Sequence, residues 1–445
     1  MPATLDQKVS LTTLGCAKNL ADSENMLGLL HAAGYQITTS PQQADICIVN
    51  TCTFIQASTD QSIDQLLELA DQGKKLIVAG CLAQRYKEQL FQEVPQIKAV
   101  LGTGDIAQII NAVHWTAQHD DQKSFFQDQA GYIAEADTPR IRLNGGISAY
   151  VKISEGCNHK CTFCIIPSLR GKLKSRPIED IVKEVQSLAQ EGVQEVILVS
   201  QDSTAYGLDL YKGKWMIGEL LERLASETSI PWIRLMYSYP GEVSQSMLKV
   251  MNRHPQILNY IDIPLQHSHP ETLRRMLRPI SSEATISQIR DTIPEISLRT
   301  TLIVGFPGET EEEFQHLYDF VKISRFDRLG VFTYSSEDTT PGADLPNQIP
   351  LKIKRARQKE ILELQSKIAY EKQRALIGKV EDVLIEKRID QQLIGRTYRD
   401  APEIDGIVRV DLTGSTFNPD SLLGQILPIR FVDSEKYDLI GELHK

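Results

Sequence analysis

Cysteine is scarce in this chain. Seven residues in 445 are too few for a disulfide framework. Met1 to Ser10 carries no apolar signal core, so the sequence predicts a reducing, cytoplasmic setting. Long apolar runs are missing too. None reaches the ~18 residues of a membrane span, so no membrane partner is predicted. Positive charge is in deficit: 48 Lys and Arg stand against 58 Asp and Glu, a net charge of −10 with a pI near 5.5. That balance exerts no general pull on nucleic acid, although a local basic patch is compatible with it. Low-complexity tracts and internal repeats are also lacking. What is present is ordinary globular composition, 41% hydrophobic and 24% charged, long enough for two to four domains.

The few cysteines are not scattered at random. Glu155-Gly156-Cys157-Asn158-His159-Lys160-Cys161-Thr162-Phe163-Cys164 sets three of them at the spacing C-x3-C-x2-C. Thiolates this close in sequence can reach one metal centre from a single loop. A four-iron cube fully held by protein needs four cysteines, and three leave one iron open to a small ligand. The competing reading is structural zinc, with His159 or a distant cysteine as fourth ligand. Zinc sites more often pair C-x2-C units.

The first segment alternates strands (Lys8 to Leu14, Asp45 to Asn50, Lys75 to Ala79) with helices (Ser23 to Ala33, Ser58 to Ala70, Gln84 to Gln92). This pattern predicts a parallel sheet with helices on its faces. Cys16, Cys52 and Cys81 each sit just past a strand end, where the loops of an open α/β sheet converge on one crevice. Together they predict a second three-thiolate site. Cys47 lies between Ile46 and Ile48 inside a strand and reads as core packing. Gly102-Thr103-Gly104-Asp105 reads as a plain turn. From Trp115 to Asn144 the chain is polar and irregular, a linker with a short strand at Arg140 to Leu143.

The second segment repeats strand–helix units six times, with strands at Ser148 to Ile153, Glu195 to Val199, Trp232 to Met236, Tyr260 to Ile263, Arg299 to Val304 and Leu329 to Thr333. Six units suggest an open (β/α)6 partial barrel, and the C-x3-C-x2-C loop follows the first strand at the end where barrel sites assemble. Gln201 and Asp202 follow the second strand, and Gln266 and His267 the fourth. His267 reads as a structural histidine. Gly305-Phe306-Pro307-Gly308-Glu309 follows the fifth and opens a helix. Glycines there let a ligand approach the backbone, and a helix N-terminus favours a carboxylate or phosphate; plain strand-to-helix punctuation is the alternative.

Leu351 to Leu376 reads as a long helix whose Lys352, Lys354, Arg355 and Arg357 form a solvated face. The last segment switches to short strands, with turns at Asp405-Gly406 and Thr413-Gly414, and fits a five-stranded OB-like barrel. From Gly378 to Lys445 it carries 13 Asp and Glu against 9 Lys and Arg. Asp400, Glu403 and Asp405 are prominent among the acids. Such a barrel suits a basic protein partner better than a phosphate backbone.

Taken together, the three segments resemble the radical S-adenosylmethionine (SAM) methylthiotransferases over nearly the whole chain. The resemblance rests on the C-x3-C-x2-C loop and on Thr13-Leu14-Gly15-Cys16-Ala17-Lys18-Asn19-Leu20. Phe163-Cys164-Ile165-Ile166-Pro167, Arg170-Gly171 and Asp400-Ala401-Pro402-Glu403-Ile404-Asp405-Gly406 also match. The branch that fits best modifies small-subunit ribosomal protein S-twelve. The tRNA-modifying relatives more often carry Gly-Cys-Gln-Met-Asn around the first cysteine. The family implies an N-terminal methylthiotransferase domain over 1–134, a radical SAM domain over 140–376 and a C-terminal TRAM β-barrel over 378–445. It also implies two [4Fe–4S] clusters, one on Cys157, Cys161 and Cys164 and an auxiliary one on Cys16, Cys52 and Cys81. SAM would lie near Phe163, Gln201, Asp202, Gln266, Gly305, Pro307, Gly308 and Glu309. The implied chemistry is reductive cleavage of SAM to a 5′-deoxyadenosyl radical, which takes hydrogen from the β-carbon of an aspartate. Sulfur comes from the auxiliary cluster and methyl from a second SAM. The implied partners are protein S-twelve on the small subunit, a low-potential flavodoxin- or ferredoxin-type electron donor and a sulfur source. Methylthiolation of a tRNA adenosine by the same chemistry is the alternative.

Overall fold

The computed structural model describes residues 7–126, 131–143, 145–412 and 418–444. Residues 1–6, Asn144 and the Thr413-Gly414 turn lie outside the described residues. The first sheet has six strands, ordered Gln36–Ile37, Lys8–Thr13, Ile46–Thr51, Lys75–Gly80, Ile97–Leu101 and Lys123–Ser124, every pair parallel. Alternate residues feed opposite cores. Ile46 and Ile48 pack with Met26, Leu30, Ile109 and Val113, while Cys47 and Val49 pack with Leu66 and Leu69. A parallel sheet covered by helices on both faces needs apolar residues at every position, which these strands supply. Cys47 is a core residue, as its place in the strand predicts.

Three local expectations fail here. The first helix spans Ala17–Ala32 rather than Ser23 to Ala33. Its polar first turns, with Lys18, Asn19, Asp22 and Ser23, are buried against the rest of the molecule and so do not read as helix face. The helix expected at Gln84 to Gln92 is two short ones, Cys81–Tyr86 and Gln89–Glu93, broken where Lys87 takes φ 47°. No strand forms at Arg140 to Leu143. The backbone donors there go to the first helix instead: Ile141 N to Glu24 O, 3.0 Å, and Leu143 N to Glu24 Oε1, 2.8 Å. Arg140 pairs with Glu24 and with Glu184 at 3.0 Å.

The second sheet is also six-stranded and parallel: Ser148–Lys152, Glu195–Val199, Trp232–Leu235, Ile257–Asp262, Ser297–Val304 and Arg328–Thr333, in chain order across the sheet with both edges unjoined. This is the open (β/α)6 partial barrel. Its outer helices bury regular apolar stripes. In Ile178–Gln190, residues Ile178, Ile181, Val182, Val185 and Leu188 recur at helical spacing and join the main core. Helix Leu351–Arg374 packs beside the last strand. Two of its charges are not solvated. Lys354 and Arg357 are buried, Lys354 Nζ bonding Tyr334 O at 2.8 Å and Arg357 bonding Glu309 at 2.8 Å.

The last segment closes into a five-stranded barrel. Val380–Ile389, Gln392–Arg396, Val408–Asp411, Asp438–Leu443 and Ile426–Glu435 follow one another around it, and the parallel pair Val408–Asp411 with Asp438–Leu443 completes the ring. Val383, Ile385, Leu393, Val410, Ile429 and Phe431 fill the interior. The acidic loop before the third strand does not face outward as a docking patch. Asp400 is buried against Arg328 (Nε 3.0 Å) and Asp405 against Arg299 (3.3 Å) and the Tyr260 hydroxyl (3.0 Å), leaving Glu403 exposed. Those acids hold the barrel to the central sheet. Among the described residues, no helix is long and apolar enough to cross a membrane.

Candidate functional site

Strands Lys8–Thr13, Ile46–Thr51 and Lys75–Gly80 are adjacent, with Thr13 opposite Asn50 and Thr51 opposite Gly80. Neighbouring strands lie ~4.8 Å apart. The sheet therefore brings Cys16, Cys52 and Cys81 together at one edge. Gly15 makes the approach feasible. It takes φ +94°, and a β-carbon there would sit 2.7 Å from Cys52 Cβ and 2.9 Å from its Sγ. Cys16 stands at the position just before helix Ala17–Ala32, without a side-chain capping bond. Burial alone would raise its thiol, but Lys18, Arg170 and the backbone N–H groups of Asn19 and Lys18 bring it below the ordinary value. Burial pushes Cys52 up and Cys81 up to about 11; Cys16 raises both further, and Cys52 also raises Cys81.

The C-x3-C-x2-C loop leaves the first barrel strand through a two-stranded ribbon, Ser154–Glu155 with Lys174–Ser175. It is cinched by Cys157 N to Gly171 O (3.0 Å), Leu173 N to Asn158 Oδ1 (3.1 Å) and Thr162 N to Met276 O (3.2 Å). Burial pushes Cys157 up to about 12 and Cys164 up to about 11, with neighbouring thiolates adding to both. His159, the alternative zinc ligand, is committed elsewhere: its Nε2 lies 2.6 Å from Asp202 Oδ2 and its ring stacks on Tyr239 at 3.7 Å.

The two sets share a wall. Cys81 packs with Ile165 and Leu169, the first of which follows Cys164. Beside them lies a buried quartet of two acids and two bases. Arg170 reaches Glu155 (3.0 Å) and Asp22 (3.3 Å), and Lys152 bonds Glu155 (2.7 Å) and Asp22. Arg170 also bonds Asn19 Oδ1 at 2.5 Å. Burial alone would raise Glu155, but Arg170 and Lys152 hold it at about 2. This network ties the N-terminal residues beside Cys16 to those just before Cys157. Sequence reasoning did not find it. The polar run Lys18-Asn19…Asp22 and the Arg170-Gly171 pair were its only signals.

The other predicted residues gather along the carboxyl ends of the barrel strands. Phe163 packs with Met276, Ile303, Phe306 and Tyr334. It also lines a cavity of about 80 Å³ with Phe54, Ile55 and Gln266. Gln201 donates to Glu155 and leaves its buried Oε1 without a partner. Asp202 Oδ1 accepts from Thr204 and Ala205 backbone N–H groups at 3.0 and 3.2 Å. Gln266 holds φ +70° and is nine-tenths buried. His267 is fully buried, accepts from His269 N at Nδ1, and is pulled by burial to about 3. That fits a structural histidine. Glu309 contacts its own turn rather than open space. Oε2 accepts from Gly305 N (2.6 Å) and Phe306 N (3.2 Å), and Oε1 from Arg357. It shapes the loop in which Gly305, buried Pro307 and Gly308 lie. A larger cleft of about 420 Å³ opens at the opposite end of the barrel, near Trp232, Ile257 and Tyr398, away from both cysteine sets.

Residues 8–102 match the family described as Uncharacterized protein family UPF0004, 151–321 the Radical SAM superfamily and 377–443 the TRAM domain. The chain is 44% identical over 98% of its length to "Ribosomal protein uS12 methylthiotransferase RimO" of Synechococcus sp. (strain JA-3-3Ab), covering 94% of that protein. It is equally similar to the protein of that name from Gloeothece citriformis (strain PCC 7424), covering 98% of each. Among solved structures, the radical SAM methyltransferase TsrM from Kitasatospora setae, with cobalamin and a [4Fe–4S] cluster bound, shares the fold. The TM-score is 0.56 over 84% of this chain and 80% of that one, at 14% identity. Fold and cysteine loop thus define a radical SAM enzyme, a class that uses a [4Fe–4S] cluster and SAM. Within it, the chain belongs to the family of the ribosomal protein uS12 methylthiotransferases.

Proposed function

We propose that this protein methylthiolates the β-carbon of an aspartate in ribosomal protein uS12, acting in the cytoplasm on the small ribosomal subunit. The observation that supports this reading most is the pairing of two three-cysteine sets across one wall in a chain so similar to the uS12 enzymes. Cys157, Cys161 and Cys164 would hold a [4Fe–4S] cluster that, with SAM, supplies a carbon radical able to break a C–H bond beyond the reach of side-chain acid–base chemistry. Cys16, Cys52 and Cys81 would hold a second [4Fe–4S] cluster that supplies the sulfur.

The chain's own residues do the rest. The ribbon Ser154–Glu155 and the Gly171 carbonyl fix the first cysteine loop. SAM would lie along Phe163, Gln201, Asp202, Gln266 and the Gly305–Glu309 turn, of which Phe163 and Gln266 line the cavity. Glu309 and Arg357 hold that turn in shape. The Arg170 quartet keeps the two sets in register, which a transfer between them requires. Turnover draws on a flavodoxin- or ferredoxin-type electron donor and on an external sulfur source. The tRNA reading is not favoured, because relatives matched along the whole chain are named for uS12.

Mass spectrometry of uS12 and of tRNA from cells lacking the protein tests the substrate. Loss of the methylthio group from uS12, with tRNA unchanged, is the expected result. Loss from tRNA alone would overturn it.

A further inference from the structure

The chain carries a net charge of −10, yet one of its faces is basic. Lys172, Lys174, Lys212 and Lys214 are exposed, and among the described residues none of their ammonium groups makes a hydrogen bond or ion pair. The nearby acids Asp209, Asp180 and Glu155 are turned to other partners. Asp209 accepts from Ser175 N at 2.9 Å and from Ser175 Oγ at 2.6 Å, Asp180 from Arg176 at 2.9 Å, and Glu155 from Lys152 and Arg170. A single exposed lysine reads as a solvated side chain. The placement of these four makes them a set.

Lys172 follows the Gly171 carbonyl that accepts from Cys157 N. Its own carbonyl lies against Gly156, where a β-carbon would come within 2.1 Å of it. Lys174 stands opposite Glu155 in the ribbon that leads into the cysteine loop. The segment carrying Lys212 and Lys214 is fastened to that same ribbon, by Gly207 N to Ser175 Oγ (3.0 Å) and by the bonds from Ser175 to Asp209. Next in the chain is Trp215, 56% exposed, whose side chain lies beside Glu242. Glu242 is in turn 3.7 Å from His159 of the cysteine loop. The four cations and the indole therefore flank the Cys157 loop. None of them lines the cavity of Phe163 and Gln266 or packs on the wall shared with the Cys16 set.

We propose that this face docks an acidic one-electron carrier protein, which hands its electron to the cluster on Cys157, Cys161 and Cys164. The inference rests on the reading that an external carrier feeds that cluster. The carrier is oxidised by one electron, the cluster is reduced by one, and no atom is transferred. Electron transfer weakens steeply with distance, so the carrier must approach the loop that holds this cluster. Basic residues around the loop steer an acidic surface there and fix its orientation. The exposed indole supplies the kind of aromatic anchor that protein partners bury. A phosphate backbone would read the same charge. Substrate, however, must reach the cavity of Phe54 and Phe163, which neighbour cysteines of the two sets in sequence. A carrier on these lysines leaves that cavity open to the ribosomal subunit.

The test uses the full-length, anaerobically reconstituted protein and a fluorophore-labelled, oxidised flavodoxin of net negative charge. Binding is followed by anisotropy at low and at high salt. The parent should bind at low salt and lose most of that affinity at high salt. A Lys172/Lys212/Lys214→Gln variant spares Lys160 inside the cysteine loop and Lys174 inside the ribbon. It should bind about tenfold more weakly at low salt. It should hold the parent's iron and release 5′-deoxyadenosine at the parent's rate when dithionite is the reductant. A Lys352/Lys367/Lys379→Gln variant removes the same charge from exposed positions on and after helix Leu351–Arg374, which packs beside the last barrel strand. That variant should bind like the parent. Equal losses in both variants, or no loss in the first, would overturn the inference alone. So would a parent that binds a labelled RNA duplex through Lys172, Lys212 and Lys214 and does not bind flavodoxin. A parent that binds neither flavodoxin nor ferredoxin, and releases 5′-deoxyadenosine with dithionite alone, would overturn the carrier reading together with it.

Discussion

Arg170 shows how much one side chain can carry at this site. It touches Asn19, Asp22 and Glu155 while buried to 2% exposure. Removing one partner of a buried ion network leaves uncompensated charge, at a cost of roughly 3–5 kcal/mol. Arg170→Met should lower stability by that order in urea unfolding, and a change under ~1 kcal/mol would mean that Lys152 alone neutralises the two acids. Cys47 gives the opposite case. It is buried inside a strand, packed in the core with Leu66 and Leu69 and with its sulfur 3.7 Å from Pro41 O, rather than at the sheet edge. Cys47→Ser should cost about 1–3 kcal/mol for a more polar group in a largely apolar core. It should leave iron content unchanged. Loss of half the iron would place Cys47 among the ligands.

At the scale of elements, the turn from Gly305 to Glu309 joins strand Ser297–Val304 to helix Glu311–Ser324. Thr310 and Glu313 cap that helix reciprocally, which fixes where it starts. Both glycines have positive φ, but their surroundings differ. A β-carbon on Gly305 would run into Lys354 Cγ, whereas one on Gly308 would meet Arg275 Nε at 3.5 Å, ordinary contact. Gly308→Ala should therefore cost about 1 kcal/mol of backbone strain, and Gly305→Ala distinctly more. Calorimetry of the two variants checks the order. The sequence marked this turn because Gly and Pro punctuate the strand-to-helix change, and apolar runs marked all six strands of the second sheet and three of the first; Gln36–Ile37, Ile97–Leu101 and Lys123–Ser124 went unmarked, two of them too short to show a run. Buried polar surfaces were what it hid. Asn19 and Asp22 escaped the helix pattern because Arg170 and Lys152, more than a hundred residues away, pair with them. Lys354 and Arg357 read as a solvated face, and Asp400 and Asp405 as part of a surface for a basic partner, because the groups that pair with them lie on other elements. Local pattern reports the period of burial but not the identity of a distant partner.

The whole molecule is stitched by charges that cross from one unit to the next. Arg85 meets Glu337 at 2.7 Å, Arg170 and Lys152 meet Asp22, and the terminal barrel is fixed through Arg396 to Glu195 (2.5 Å), Asp400 to Arg328 and Asp405 to Arg299. Glu195 makes this pH-dependent. Burial alone would raise it, but Arg396 and Arg234 bring it from 4.5 to about 2. The unfolded chain then binds more protons than the folded one between those values. The contribution is complete above pH 4.5 and is lost as pH falls through about 2. It is on the order of 3 kcal/mol. Acid titrations should show this loss in the parent protein, and Glu195→Gln, already less stable at neutral pH, should be flatter across the same window. The most direct measurement addresses the division of labour between the two cysteine sets. Parent protein, a Cys16/Cys52/Cys81→Ala variant and a Cys157/Cys161/Cys164→Ala variant are reconstituted anaerobically and given SAM, reductant and uS12. The parent should hold about eight irons as two cubes and methylthiolate uS12. The first variant should hold about half that iron, release 5′-deoxyadenosine and leave uS12 unmodified. The second should also hold about half, and release none. Methylthiolated uS12 from the first variant, or 5′-deoxyadenosine from the second, would contradict the account.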